Sequence, residues 1–79
     1  MKIYAYHGKK NVSGEKIRQV RHMKRMSQSA LAAKMQVEGV LERDSISRIE
    51  SGERFVADYE LQVFAKVLGV DVKWLLNDN

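Results

Sequence analysis

Apolar residues recur at helical spacing in five stretches of this 79-residue chain. In the second stretch Leu31, Ala32 and Met35 form one apolar stripe, and in the third Ile46 and Ile49 lie three apart on one face. The pattern predicts an all-α fold of five helices around one core. The first predicted helix spans about 14–25, the second runs from 28 onward, and the third lies near 43–51. The fourth begins at 58 and ends before Gly69, and a short fifth helix runs through 76.

Short polar side chains precede most of these helices, and glycines follow three of them. An oxygen on such a side chain can accept a hydrogen bond from an unpaired N–H of the first turn. The predicted N-caps are Ser13, Ser27, Asp58 and Asp71. Gly52 lies where a left-handed residue would end the third helix.

Three stretches, SQSALA, SISRIESG and FAKVLGVDVKWLL, follow one another in an order that carries a family resemblance. From roughly Ser13 to Asn77 the chain resembles the helix-turn-helix domain of phage-repressor and Cro-type (XRE-like) transcription regulators. The resemblance implies a compact, five-helix, lambda-repressor-like DNA-binding domain over 13–79, preceded by an N-terminal arm or short strand over 1–12. The segment MQVEGVLERD departs from the family pattern, because it makes the turn between the two motif helices about four residues longer.

The outward face of the third helix carries the side chains predicted to read bases. Ile46 and Ile49 fix which side faces the domain, and the polar side left over suits a DNA major groove. The residues predicted to contact bases are Arg43, Asp44, Ser47 and Arg48. Arginine is the strongest reader among them, because its fork can meet both acceptors of guanine at once.

Three further residues flank this face and are predicted to contact the DNA backbone: Gln28, Ser45 and Arg54. Gln28 opens the second helix, whose N-terminus presents free N–H groups to a phosphate. The resemblance also implies that a glutamine here binds the backbone. Arg54 follows the third helix, where a loop would run beside a phosphate strand. The alternative for both residues is an ordinary exposed surface position.

Arg21 lies on the same helix face as Ile17 and Val20, which are expected in the core. Burying an unpaired charge is costly, so Arg21 needs a partner or must extend to solvent. The resemblance implies a structural ion pair with Glu50 in the third helix.

The net charge of +4 is unevenly distributed. Residues 1–28 hold eight Lys and Arg against one Glu, and the remainder is net acidic. The basic third could steer the protein toward a polyphosphate or serve only as a solvated helix face. Within the arm, Lys2, Lys9 and Lys10 could reach phosphates, with Tyr4 or Tyr6 packed on sugar; the alternative is a disordered chain end.

Apolar residues outside the helical stripes are expected to pack onto the domain: Val37, Val40, Leu41, Phe55 and Val56. Trp74 belongs either to the core or to a subunit interface. One recognition helix reads few base pairs, so such domains usually pair on half-sites about one helical turn apart. A weak or DNA-induced homodimer is therefore predicted, with Trp74 and Leu75 as its contact.

Other function classes have little support in the sequence. The absence of cysteine excludes disulfides and zinc-thiolate sites, and His7 and His22 lack the spacing of a metal site. No complete phosphate loop and no arrangement of a catalytic triad is visible, so neither an enzyme, a cofactor nor a small-molecule ligand is predicted. No apolar run approaches the ~20 residues of a membrane span, and no signal-peptide pattern is present, so a cytoplasmic protein is expected.

These observations predict sequence-specific binding of double-stranded DNA by a transcriptional regulator, a repressor. The alternative is an antitoxin or protein-interaction module built on the same fold. It would use Trp74 and the apolar C-terminal helix to contact its partner.

Overall fold

Five segments form helices in the computed structural model, which describes residues 8–41 and 43–77. The helices are α1 (Gly14–Met23), α2 (Gln28–Val37), α3 (Arg43–Glu50), α4 (Asp58–Leu68) and α5 (Val72–Leu76). Each lies where the apolar periodicity places it, so the predicted all-α, five-helix fold is confirmed. The Cα radius of gyration, 11.8 Å, is close to the roughly 12 Å expected for a compact chain of this length.

One apolar core joins all five helices. Its fully buried side chains are Ile17, Leu31, Met35, Ile46, Ile49, Phe64, Leu68 and Leu75. Burying one such side chain stabilises the fold by about 1.5–3 kcal/mol. Helix α3 packs mainly against α2 and α1. Because those contacts use its two isoleucines, the polar side of α3 is left facing solvent.

Two of the predicted N-caps are confirmed. The Ser27 hydroxyl accepts a hydrogen bond from the Ala30 N–H at 2.9 Å and so caps α2. The Asp71 carboxylate accepts from the Lys73 N–H at 3.0 Å and caps α5. Both are short polar residues directly before an apolar helix, the arrangement in which a cap can be recognised from sequence.

The other two predicted residues do not act as N-caps in the way the sequence suggests. Ser13 precedes α1 but makes no capping bond, and the Gly14 N–H donates to Asn11 Oδ1 at 2.7 Å instead. Asp58 is the first residue of α4 rather than the residue before it, but its carboxylate still accepts a hydrogen bond from the N–H of the next residue at 2.7 Å. The N–H of the residue before Asp58 donates to the Glu60 carboxylate at 2.9 Å.

Helix α3 ends in the left-handed turn that the sequence predicts. Gly52 has φ of 84°, its N–H donates to the Ile49 carbonyl at 3.0 Å, and the Glu53 N–H donates to the Arg48 carbonyl at 2.8 Å. This pair of bonds is a Schellman motif, which satisfies carbonyls of the last turn.

Helix α1 ends two residues earlier than predicted. Arg25 adopts φ of 55°, and its N–H donates to the His22 carbonyl at 3.0 Å. The Met26 N–H donates to the Arg21 carbonyl at 3.0 Å, which completes the same type of turn. A non-glycine residue therefore takes the position that glycine usually occupies, which sequence patterns do not reveal.

Several apolar residues lie elsewhere than predicted. Leu75 is buried in the core, so its predicted place at a subunit interface is wrong, whereas Trp74 is 37% exposed. Phe55 is exposed, since Val56 takes the inward position in the connection between α3 and α4. Val37 is 84% exposed because it lies on the opposite side of α2 from its buried stripe.

Candidate nucleic-acid interface

The solvent-facing side of α3 carries all four residues predicted to read bases. Arg43, Asp44, Ser47 and Arg48 are exposed, whereas Ile46 and Ile49 of the same helix are completely buried. An α-helix with its side chains is about 10–12 Å in diameter, which fits a major groove about 12 Å wide. Two arginines and two small polar side chains on one free helix face can donate to and accept from base edges.

A buried ion pair holds this helix against α1. Arg21 Nε donates to Glu50 Oε2 at 2.7 Å, and Arg21 Nη2 donates to Oε1 at 3.0 Å, so the contact is bidentate. Arg21 Nη1 also donates to the Met26 carbonyl at 2.8 Å. The side chains are only 8% and 4% exposed. The pair that the resemblance implies is thus present, and it fixes the C-terminal end of α3.

Gln28 connects the N-terminus of α2 to the same pair. Its amide nitrogen donates to Glu50 Oε1 at 3.1 Å, and its side chain is half-buried. Of the residues predicted to contact the DNA backbone, Ser45 is also half-buried, on the outer side of the buried isoleucine stripe. Gln28 is therefore oriented by α3, and the ends of the two helices form one surface.

Arg54 follows α3 and is held by Glu60 of α4. Its two terminal nitrogens donate to the two carboxylate oxygens at 3.0 and 3.1 Å, and Nη1 also donates to the Phe55 carbonyl at 2.9 Å. The hydrogen bonds to the Glu60 carboxylate raise the pKa of the Arg54 guanidinium. Burial raises the pKa of Glu60, but the bonds from Arg54 and from the Ala57 N–H, with the arginine's charge, outweigh it and leave that pKa lowered.

The long turn between α2 and α3 packs against the domain along part of its length. Gly39 has φ of 83°, and the Val40 N–H donates to the Met35 carbonyl at 3.0 Å. Val40 and Leu41 are half-buried on the core, as predicted. Leu41 adopts φ of 55°, so the chain changes direction sharply just before α3 begins. Glu42 lies outside the described residues.

Residues 17–75, most of the chain, match the model of the helix-turn-helix family of Cro/C1 type. The chain belongs to this family. Membership implies that the domain binds DNA and takes part in transcriptional regulation, and the arrangement of its helices is that of a lambda-repressor-like domain. No curated protein and no solved structure gives a significant match.

One residue at this site is not predicted by sequence reasoning, and it lies outside the helix-turn-helix match. Asn11 Nδ2 donates to the Ile49 carbonyl at 3.0 Å and to the Arg54 carbonyl at 2.8 Å. An asparagine three residues before the first N–H of a helix is a possible capping signal, but its contacts 38 and 43 residues away leave no local pattern.

The basic first third of the helix-turn-helix protein is partly neutralised by internal contacts. Lys9 pairs with Glu15, and the hydrogen bond and charge of Lys9 lower the pKa of that carboxyl. Arg18, Lys24 and Arg25 are exposed. The predicted arm contacts of Lys2, Tyr4 and Tyr6 lie outside the described residues. The positive charge of this first third of the chain is therefore only partly available to a phosphate.

Within residues 8–41 and 43–77, every helix is too short or too polar to cross a bilayer.

Proposed function

We propose that this helix-turn-helix protein is a sequence-specific repressor of transcription that reads the major groove with the exposed face of α3. The observation that carries the proposal is that α3 has one buried apolar side and one exposed polar side. Its two isoleucines are fully buried, and its polar residues, with Arg43 and Arg48 among them, are free to meet base edges. A repressor of this kind acts by occupying DNA that the transcription machinery needs.

Base reading and backbone contact fall to different residues in this proposal. Arg48 is the main reader, with Arg43, Asp44 and Ser47 beside it, since a guanidinium can bind guanine O6 and N7 together. Gln28, Ser45 and Arg54 contact phosphates and fix the register of the helix in the groove. Glu60 supports this role for Arg54, because two hydrogen bonds hold the guanidinium in one orientation.

The repressor binds as a homodimer that DNA strengthens, with one α3 on each half-site. Its contact uses the exposed side of α5, where Trp74 is 37% and Leu76 49% exposed. Sedimentation with and without the selected duplex measures the dimer. A footprint on one isolated half-site together with the mass of a one-protein complex would contradict it.

Selection from a random duplex library tests the proposed function, followed by mobility shifts on the selected and on scrambled duplexes at several salt concentrations. We expect one motif to be enriched, with an affinity at least about 10³-fold above that for scrambled DNA. Equal affinity for both duplexes at every salt concentration would contradict sequence-specific binding.

The exposed side of α5 also favours a second candidate function, that of an antitoxin or protein-interaction module. The Lys16 ammonium lies over the Trp74 ring, 4.9 Å from the ring centroid. Leu76, two residues further along the same helix, is also exposed. The variant Leu76→Asp separates the two uses. Loss of cooperative DNA binding supports the dimer, and a stable complex with a different protein that Leu76→Asp abolishes supports the second function.

A further inference from the structure

A short segment before α1 lies against the end of α3. We call residues 9–12 the N-terminal strap. The Lys10 N–H donates to the Gly52 carbonyl at 2.9 Å, in the turn that ends α3. Together with the two bonds from the Asn11 amide, three hydrogen bonds join the strap to the last turn of α3 and the residues after it. The strap precedes residue 17, where the family match begins.

Both polar atoms of the Asn11 side chain form hydrogen bonds. Its oxygen accepts from the Gly14 N–H and caps α1, while its amide nitrogen donates to the carbonyls of Ile49 and Arg54. One carbonyl belongs to the residue after Arg48, and the other belongs to Arg54 itself. A single side chain thus contacts the backbone next to the proposed base reader and the backbone of a proposed phosphate contact.

The packing around the strap leaves little space for adjustment. A Cβ at Gly14 would lie 2.1 Å from the Ile49 carbonyl oxygen and 2.7 Å from Asn11 Oδ1. A Cβ at Gly52 would lie 2.9 Å from Cγ of Lys9. Two glycines therefore allow α1, the strap and the end of α3 to approach closely, and the end of α3 cannot shift without breaking these contacts.

We propose that Asn11 is a positioning residue for DNA reading, and that the strap holds the C-terminal end of α3 where Arg48 meets its base. The inference rests on the proposed function, and it adds a segment outside the helix-turn-helix match to the reading apparatus. A bidentate contact to guanine tolerates displacements of only about 0.5 Å, so a loosened α3 loses discrimination between bases before it loses attraction to phosphates.

Two substitutions separate positioning from helix capping. Asn11→Asp keeps an oxygen for the Gly14 N–H but cannot donate to either carbonyl, whereas Asn11→Ala loses all three bonds and adds no charge. Asp71→Ala is the matched control, because it removes the cap of α5 and contacts no residue of α3. For each protein we measure affinity for the duplex selected by the wild type and for a scrambled duplex, at a temperature where circular dichroism shows all variants folded.

We expect both Asn11 variants to lower the ratio of selected to scrambled affinity by roughly threefold to tenfold, the effect of one or two lost hydrogen bonds. Asp71→Ala should keep the wild-type ratio. A wild-type ratio in Asn11→Asp would overturn the proposal and leave Asn11 as a helix cap alone. An equal loss in Asp71→Ala would also overturn it, since general destabilisation would then explain the effect. If the wild type itself shows no preference, the proposed function fails first.

Discussion

Removing either member of the Arg21–Glu50 pair should strongly destabilise the protein. In Arg21→Ala the Glu50 carboxylate, only 4% exposed, keeps just the Gln28 amide as a side-chain donor. In Glu50→Ala the Arg21 guanidinium keeps the Met26 carbonyl but loses both bonds to a charge. Leaving one charge of a buried pair uncompensated costs about 3–5 kcal/mol.

That loss is large for a chain of 79 residues, whose unfolding free energy should be roughly 4–12 kcal/mol. Urea unfolding followed by circular dichroism measures it, with both single variants and the double variant Arg21→Met/Glu50→Leu. The double variant should be far less destabilised than the two single losses added together, because apolar residues of similar volume can replace a buried pair.

The exposed pair between Lys66 and Glu38 provides the control. These side chains meet at 2.9 Å but are 69% and 31% exposed, so Lys66→Ala should cost no more than about 1 kcal/mol. The reasoning would be refuted if Arg21→Ala and Glu50→Ala each cost no more than Lys66→Ala.

Three further predictions concern stability. Gly14→Ala should cost about 1–3 kcal/mol in urea unfolding, because its Cβ would overlap the Ile49 carbonyl oxygen; an unchanged midpoint would contradict the close approach. Since the pKa of Glu60 is lowered in the folded protein, its stabilisation is present above the unfolded value of about 4.3 and is lost as pH falls through the folded value. Glu60→Gln should therefore weaken the pH dependence of stability below about pH 5, and an identical pH profile would argue against the Arg54 contact. Arg25→Gly should raise the thermal midpoint, with a gain of about 1 kcal/mol or less, because glycine adopts the left-handed conformation without a Cβ penalty; a lower midpoint would show that the arginine side chain stabilises this turn.

The helices and the core were predictable because they depend on local repetition. Ile46 and Ile49 are three residues apart in one helix, so their shared burial follows from helical geometry alone. Ser27 and Asp71 cap the helices that directly follow them. In each case, the residues that interact lie within one or two helical turns of each other along the chain.

Features that depend on distant partners could not be predicted in this way. The side chain of Asn11 reaches residues that follow α3, and Arg54 meets Glu60 across the connection into α4. Neither spacing corresponds to one helix face or one turn. Hydrophobicity alone also misplaced Phe55 and Leu75, because it does not say which of two adjacent apolar residues faces the core.

The most direct test of base reading by α3 compares the affinities of Arg48→Ala for the selected and for the scrambled duplex. We predict a loss of about 1–3 kcal/mol on the selected duplex and almost none on the scrambled one. Lys73→Ala, which removes one exposed positive charge from α5, should leave the ratio of the two affinities unchanged. Arg43→Ala completes the comparison, because a tilt of α3 at the long turn before it would make Arg43 the main reader in place of Arg48. Equal losses on selected and scrambled DNA for both Arg43→Ala and Arg48→Ala would contradict base reading by this helix.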